Sequence, residues 1–438
     1  MVKLCIAAPV FYPTFSGAAL RFQRYLPGFS QREIEVRILT GTPRAKDISE
    51  DEHGDWPAMS NGDSGVAVDS RDSVLEPSEH LGDVPIHRVT LPDQTGMSRT
   101  ATYFRALLLL CENPSTRPDV IQLHSFERLE SIYWLARIRK LGIPIIYVIQ
   151  IARPATRGNF VDRLFKPAML RRFYNSFDTI VTSSEVIRQY LLSLRIEKPV
   201  AVIPNGVDLE RFKPAGAVVK VQRRIELGLG EGGPVIVSLG AISPRKGSDL
   251  LVEAFALVAT QHPDARLVLV GPRHDLNNRG LAEFKKRLEC LVNRVPHPER
   301  VHFMGLRETV LPFYQAADLV VLPTNREGGT PNVVLEAMAC ECAVVITPFE
   351  GQSSLLGRPG VDFEQTPRTA QDIARCMIDL IDRPDRSEAL AKSGRDWVVQ
   401  TMDQRISLDR FAGVYRGARD GTLCQQQLDW PIAKDRIG

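Results

Sequence analysis

The sequence predicts an α/β protein of two successive doubly wound, Rossmann-like domains facing across a cleft. Three observations predict it. Short apolar runs such as PIIYVIQ (144–150) and DLVVLP (318–323) read as strands buried on both faces. They alternate with stretches at helical spacing, the pattern of parallel strands joined by crossover helices. The alternation also runs through twice, around an Asn205-Gly206 turn signal, in a chain of 438 residues, enough for two domains.

In order, KLCIAAP (3–9) reads as a buried strand, followed by a turn with Tyr12, Pro13 and Gly17. A helix from about Ala18 carries Leu20, Phe22, Tyr25 and Leu26, and Pro27 should end or kink it. VRILTG (36–41) is the next strand. Residues 43–83, rich in Asp, Glu, Ser and Gly and without periodicity, read as a solvated loop. IHRVTLP (86–92) resumes the sheet. A helix at 99–111, VIQLHSF (120–126), a helix at 127–141, PIIYVIQ, a helix from Phe160, TIVTSS (179–184), a helix at 185–194 and VAVIP (200–204) complete a first domain, 1–205. The second, 206–403, has strands PVIVSLG (234–240), RLVLVG (266–271), VHFMG (301–305), DLVVLP and AVVI (343–346). Helices at 248–260, around 279–293 and up to Ala317 separate them, and amphipathic helices at 370–382 and 387–401 follow. In the remainder, 404–438, Leu408, Phe411 and Tyr415 mark a last helix near 406–418.

Composition excludes several classes. With 44 % hydrophobic and 24 % charged residues, the chain can bury a core and is not disordered. A net charge of +3, with pI near 8.4, is too mild to point to nucleic acid. Seven scattered cysteines without a CxxC pair indicate neither a zinc ribbon nor a disulfide framework, and fit a reducing cytoplasm. MVKLCIAAPV lacks a cleavage pattern, and ALLLLC (106–111) is far too short to span a bilayer, so the expectation is a soluble or peripheral protein. Arg21, Arg24, Arg163, Lys166, Arg171 and Arg172, interleaved with Phe and Leu, have two readings. One is a face for the inner, anionic surface of a membrane; the other is solvated helix surface.

The chemistry concentrates in Arg326–Gly351, REGGTPNVVLEAMACECAVVITPFEG. A Gly-rich turn leads into a short helix, with Thr330 expected as N-cap and Pro331 at the first helical position. The helix NVVLEAMAC is apolar almost all round, so it should be buried, yet Glu336 sits in its middle. A buried carboxylate needs donors. With Glu327 in the turn and a positive helix N-terminus, the stretch suits a sugar joined to a diphosphate. A core helix with one internally bonded Glu is the other reading of the same residues. GLGEGG (228–233) precedes a strand and so fails the context of a dinucleotide fingerprint. His124 has no second His or Cys at ligand spacing, and no apolar strand ends in Asp-x-Asp, so no metal is expected.

IPNGVDLERFKP (203–214), VSLGAISPRKGSDLLVEAF (237–255), ARLVLVG (265–271) and AADLVVLPTNREGGTPNVVLEAMAC (316–340) together resemble the retaining group-1, or family 4, glycosyltransferases of the GT-B fold. The resemblance is strong over about 178–400, weaker over 1–150 and absent from 43–83. It implies a C-terminal helix returning to the first domain. It implies a metal-independent enzyme without a cofactor, moving a sugar from a nucleotide-diphosphate donor to a saccharide or lipid-linked acceptor in cell-surface polysaccharide or glycolipid synthesis. On single residues, it implies that Glu336 binds the donor ribose, Glu327 touches the transferred sugar and Lys246 neutralises the diphosphate. Gly240, Arg245, Gly328, Gly329, Thr330, Pro331 and Asn332 complete the donor-binding candidates. Gly17 and Ala18 match the family's N-terminal loop for phosphate or acceptor. The sequence departs from the family at four places. Eight residues separate Glu327 from Glu336 where the family has seven, Ala241 stands where a basic residue is common, Gln150 where a sugar-contacting His is common, and Glu341 where Gly is usual. An epimerase on the same fold and a catalytically silent nucleotide-sugar-binding protein are the alternatives.

Overall fold

The computed structural model describes residues 1–11, 17–42, 75, 77–92, 97–150, 160–272, 279–423 and 428. These divide into two compact units: the first takes the chain to Pro204 and again from Arg405, the second spans Asn205–Gln404.

In the first unit, β1 (Val2–Ala7), α1 (Gly17–Ser30), β2 (Ile34–Gly41), β3 (Glu79–Leu81), β4 (Val84–Val89) and α2 (Met97–Glu112) are followed by β5 (Val120–Leu123) and α3 (Leu129–Arg139). Then come β6 (Ile145–Ile149), α4 (Phe160–Tyr174), β7 (Thr179–Thr182), α5 (Glu185–Ser193) and β8 (Val200–Val202). Among the described residues, eight strands form one sheet in the order β3-β4-β2-β1-β5-β6-β7-β8. All neighbours are parallel except β3 and β4. Because crossover helices cover both faces, β5, β6 and β7 are buried at every position, which is why they read as unbroken apolar runs.

The second unit holds α6 (Ala217–Glu226), β9 (Val235–Leu239), α7 (Ser248–Gln261), β10 (Arg266–Val270), α8 (Arg279–Val292), β11 (Val301–Gly305), α9 (Leu311–Ala316) and β12 (Leu319–Leu322). It continues with α10 (Asn332–Ala339), β13 (Ala343–Ile346), β14 (Glu364–Gln365), α11 (Ala370–Asp382) and α12 (Pro384–Thr401). Its described strands form a six-stranded parallel sheet in the order β11-β10-β9-β12-β13-β14. Strand order reverses between β9 and β12, and such a switch point is where open α/β sheets leave a crevice beyond their carboxyl ends.

The last helix, α13 (Gln404–Asp420), packs on the first unit. Phe411 and Tyr415 meet Phe22 and Phe29 of α1 edge-on, with ring centroids 5.3 and 5.7 Å apart. Gly28 lets α13 approach, since a Cβ there would fall 2.4 Å from Leu408 Cδ1. Leu428 is buried against the same cluster.

Four expectations change. Pro27 does not end α1, which runs on to Ser30: the proline stands in the last turn, where little helix remains to disrupt. Gly17, expected in the turn, is the first residue of that helix and Ala18 the second, where the helix was expected to begin; residues 12–16 of the turn lie outside those described. Of the expected loop 43–83, residues 43–74 and 76 also lie outside, but Glu79–Leu81 is the edge strand β3. Finally, Arg21 cannot serve a membrane face. It is buried, its Nη2 donating to the carbonyls of Ile203 (3.0 Å) and Pro204 (2.7 Å), with the guanidinium over the rings of Tyr25 and Phe411. No helix among the described residues is long and apolar enough to cross a membrane.

Candidate donor-phosphate site at the β9–β12 switch point

At the carboxyl ends of β9 and β10 the backbone is packed without side chains between. Gly240 N–H donates to Val270 O at 2.8 Å, and Gly271 N–H to Gly305 O at 2.8 Å. Gly271 has φ +146°, and a Cβ on it would lie 2.1 Å from the Gly240 carbonyl oxygen. Gly240, with φ +128°, is the floor for Lys246, whose Cε would be 3.2 Å from an added Cβ. The loop thus turns back so that the ammonium of Lys246 stands over the end of β9.

The neighbouring loop, after β12, closes on it. Gly247, with φ +72°, opens α7 and would carry a Cβ only 2.3 Å from Pro323 O. Arg368 ties the two loops, donating from Nε to Pro323 O (3.0 Å) and from Nη2 to Pro244 O (3.3 Å). Glu327 lies at the junction. Its Oε1 accepts from Lys246 Nζ at 2.7 Å, Arg245 Nη1 at 2.8 Å and Thr324 Oγ1 at 2.9 Å. Arg245 Nη1 also donates to Arg326 O at 2.8 Å. Burial pushes the Lys246 ammonium below its ordinary pKa, against the raising effect of Glu327. The arrangement is a two-cation cradle with one internal carboxylate as counter-charge.

The start of α10 borders this cradle in sequence. Thr330 does not cap the helix: Pro331, with ψ 131°, is the N-cap, and no side chain caps the turn. The reason is that Thr330 is wholly buried and engaged elsewhere, its Oγ1 and carbonyl both accepting from Asn205 (3.1 and 2.8 Å). Pro331 accordingly lies one position before the helix, and Asn332, half-buried, is its first residue. Gly328 and Gly329 form the turn between, with Gly329 at φ +81° and its carbonyl bonded by Ser353 N–H at 3.2 Å. The first amides of a helix have no intrahelical acceptor, so this end is suited to an anion.

Glu336, 4 % exposed in the middle of α10, accepts at Oε2 from the Tyr314 hydroxyl at 2.8 Å. Tyr314 is itself buried on α9, edge-on to Phe212 with ring centroids 5.9 Å apart. At the other end of α10, Glu341 takes φ +59°, with Glu341 N–H bonded to Met338 O (2.9 Å) and Cys342 N–H to Ala337 O (3.0 Å). That is a left-handed helix terminus, the place where glycine is usual.

The structure therefore brings Gly240, Arg245, Lys246 and Glu327 together, with Gly328–Asn332 continuing from them and Glu336 about one helical turn after Asn332. Gly17, Ala18 and Gln150 belong to the first unit. Gln150, at the end of β6, accepts Ser183 Oγ on its carbonyl at 3.0 Å, and its buried Nε2 has no partner among the described residues. His124, at the end of β5, is buried with Nε2 2.8 Å from Gln122 Nε2, and burial and Arg21 hold its pKa down to about 3. Sequence reasoning missed Thr324, Arg368, Tyr314 and Asn205. Gly271 could have been found, as a glycine closing an apolar run. Among the described residues no group of three His, Cys, Asp or Glu is placed to hold a metal.

Comparison with known proteins bears on the family and the fold. A model described as "Glycosyl transferase 4-like domain" matches residues 16–206, and one described as "Glycosyl transferases group 1" matches residues 233–383. The chain is 26 % identical over 251 residues to a GDP-mannose-dependent monoacylated alpha-(1-6)-phosphatidylinositol monomannoside mannosyltransferase of Corynebacterium glutamicum, covering 54 % of this chain and 63 % of that one. It is 29 % identical over 262 residues to a GDP-mannose-dependent alpha-(1-6)-phosphatidylinositol monomannoside mannosyltransferase of Mycolicibacterium smegmatis, covering 57 % and 65 %. The matches thus span less than two thirds of those relatives' length. Among solved structures, Anabaena HepE in complex with UDP superposes with a TM-score of 0.70 at 18 % identity, covering 95 % of this chain and 100 % of that one, a likeness of fold. The two models between them take in most of both units, and the chain belongs to the group 1 glycosyl transferases.

Proposed function

We propose that the chain transfers a sugar from a nucleotide-diphosphate donor to an acceptor hydroxyl with retention at the anomeric carbon, in the synthesis of a cell-surface polysaccharide or glycolipid. The observation that carries this reading is the pairing of Lys246 and Arg245 on Glu327 above Gly240, beside the start of α10. As the bond from sugar to phosphate breaks, negative charge grows on the leaving diphosphate. A fixed ammonium, a guanidinium and a helix N-terminus stabilise that charge without reorganising, so this chemistry calls for no metal or cofactor. The acceptor oxygen forms its bond on the face the diphosphate leaves, and its proton passes to the departing phosphate oxygen. Glu327 holds the two cations until the diphosphate takes them, and then is free to accept from a hydroxyl of the sugar. Glu336, positioned by Tyr314, accepts from the ribose.

The Corynebacterium and Mycolicibacterium relatives are named for GDP-mannose and for phosphatidylinositol mannosides, so GDP-mannose and a lipid-linked acceptor are the first substrates to test. A lipid-linked acceptor would place the protein in the cytoplasm, in peripheral contact with the inner membrane face. The test is release of nucleoside diphosphate from a panel of nucleotide sugars, with and without acceptor. Transfer from at least one donor is expected, and Glu336→Ala should lose donor binding while still folding, at a midpoint lowered only by the loss of its bond from the buried Tyr314 hydroxyl. Failure of every donor to bind or turn over would overturn the reading; collapse of the fold in Glu336→Ala would return that residue to the core.

A further inference from the structure

The chain enters its second unit at Asn205. That residue is bonded to a turn 125 positions further on. Its N–H donates to Thr330 Oγ1 at 3.1 Å, and its Nδ2 to the Thr330 carbonyl at 2.8 Å. Thr330 closes the turn that sets the start of α10, its own N–H bonding Gly328 O at 3.0 Å. The earlier part of the turn is held separately, by Glu327 N–H on Glu350 O (3.1 Å) and Ser353 N–H on Gly329 O (3.2 Å). Asn205 therefore secures the end of the turn nearest the helix.

Two features make this more than a packing contact. The amide must face this way round, because the reverse would set two acceptor oxygens against each other. In this orientation Asn205 Oδ1 is buried without a partner among the described residues. Buried orphans of this kind are rare, since the desolvation of the oxygen is not recovered. Others occur among the described residues, as at Gln150 Nε2, but this one stands at the residue that fixes the Thr330 carbonyl.

We infer that Asn205 is a positioning residue for the donor's phosphates: it locks Thr330, and through it the turn and first amides of α10, in the geometry that receives a diphosphate. This rests on the donor reading above. It also separates the phosphate end of the site from the nucleoside end, where Glu336 and Tyr314 lie on α10 and α9.

The test uses the full chain and calorimetric titration of a nucleoside and its diphosphate, with the base chosen from whichever of GDP, UDP and ADP the wild type binds. The quantity read is the ratio of nucleoside Kd to diphosphate Kd. In Asn205→Ala the ratio should fall about tenfold, the size of one lost hydrogen bond, with nucleoside affinity unchanged. Thr330→Val, which removes the hydroxyl bonded by the Asn205 amide, should lower the same ratio and carries the test if Asn205→Ala does not fold. Thr330→Ser, which keeps both bonds, should retain the wild-type ratio. A wild type that binds no nucleoside diphosphate overturns the donor reading itself. Wild-type binding with an unchanged ratio in the variants overturns the role of Asn205 alone, as does a lowered thermal midpoint with nucleoside and diphosphate affinities reduced equally.

Discussion

Glu327→Gln separates the charge of the internal carboxylate from its shape. Glu327 Oε1 accepts from Lys246, Arg245 and Thr324 at 2.7, 2.8 and 2.9 Å, and the Glu327 and Lys246 side chains are only 10 % and 14 % exposed. A glutamine oxygen can accept the same three bonds, so geometry is retained and one negative charge is lost. Removing one partner of a buried ion pair costs about 3–5 kcal/mol; with the acceptor retained, about 2 kcal/mol is expected here. The same substitution should tighten diphosphate binding, because the two cations no longer have to be drawn from a competing carboxylate. An affinity about tenfold higher corresponds to about 1.4 kcal/mol of that competition removed. Urea unfolding followed by circular dichroism reads the first effect and calorimetry with a nucleoside diphosphate the second. Nucleotide should also raise the thermal midpoint of the variant more than that of the wild type. A destabilised variant whose diphosphate affinity is unchanged or weaker would show that Glu327 does not compete for Lys246, and the two-cation account would fail.

Two further outcomes follow from single positions. Glu341→Gly relieves a left-handed residue at φ +59° and gives up only a 3.9 Å contact with Arg395, so it should raise stability by about 1 kcal/mol in the same urea assay; a loss would show that the terminus is not strained. His124 titrates from 6.5 when unfolded to about 3 when folded, so between those values the unfolded chain binds the extra proton and stability falls as pH falls. His124→Gln should flatten that acid limb, measured as urea midpoints at pH 7 and pH 5; equal slopes in both proteins would remove His124 as its source.

Much of the fold was legible because parallel strands covered on both faces must be apolar throughout. LVVL and AVVI announce β12 and β13, and the buried positions confirm why. Very short edge elements were silent, because two or three residues show no period: β3 has three residues and β14 two. The helix α6 was missed for a different reason, since its pattern is inverted. Arg224 is buried on Asp318 (2.6 Å) and Lys220 pairs with the same carboxylate (2.7 Å), while Val218, Val219, Val221 and Ile225 face outward. In the site, residues near one another in sequence could be read together, as with Arg245 and Lys246. What could not be read is long-range: Tyr314 on Glu336, Arg368 across two proline carbonyls, and Asn205 on Thr330. The last explains why a capping rule that suits the local sequence gave the wrong residue, as the hydroxyl was already taken from far along the chain.

The central claim is that a nucleoside diphosphate binds where β9 and β12 part, on the ammonium of Lys246. Calorimetric titration of GDP, UDP and ADP into the wild type and Lys246→Ala measures it directly. The account predicts saturable binding of at least one of them to the wild type, weakened at least about tenfold in Lys246→Ala without loss of the folded state. Equal affinity in the two proteins, or no binding to either, would contradict it.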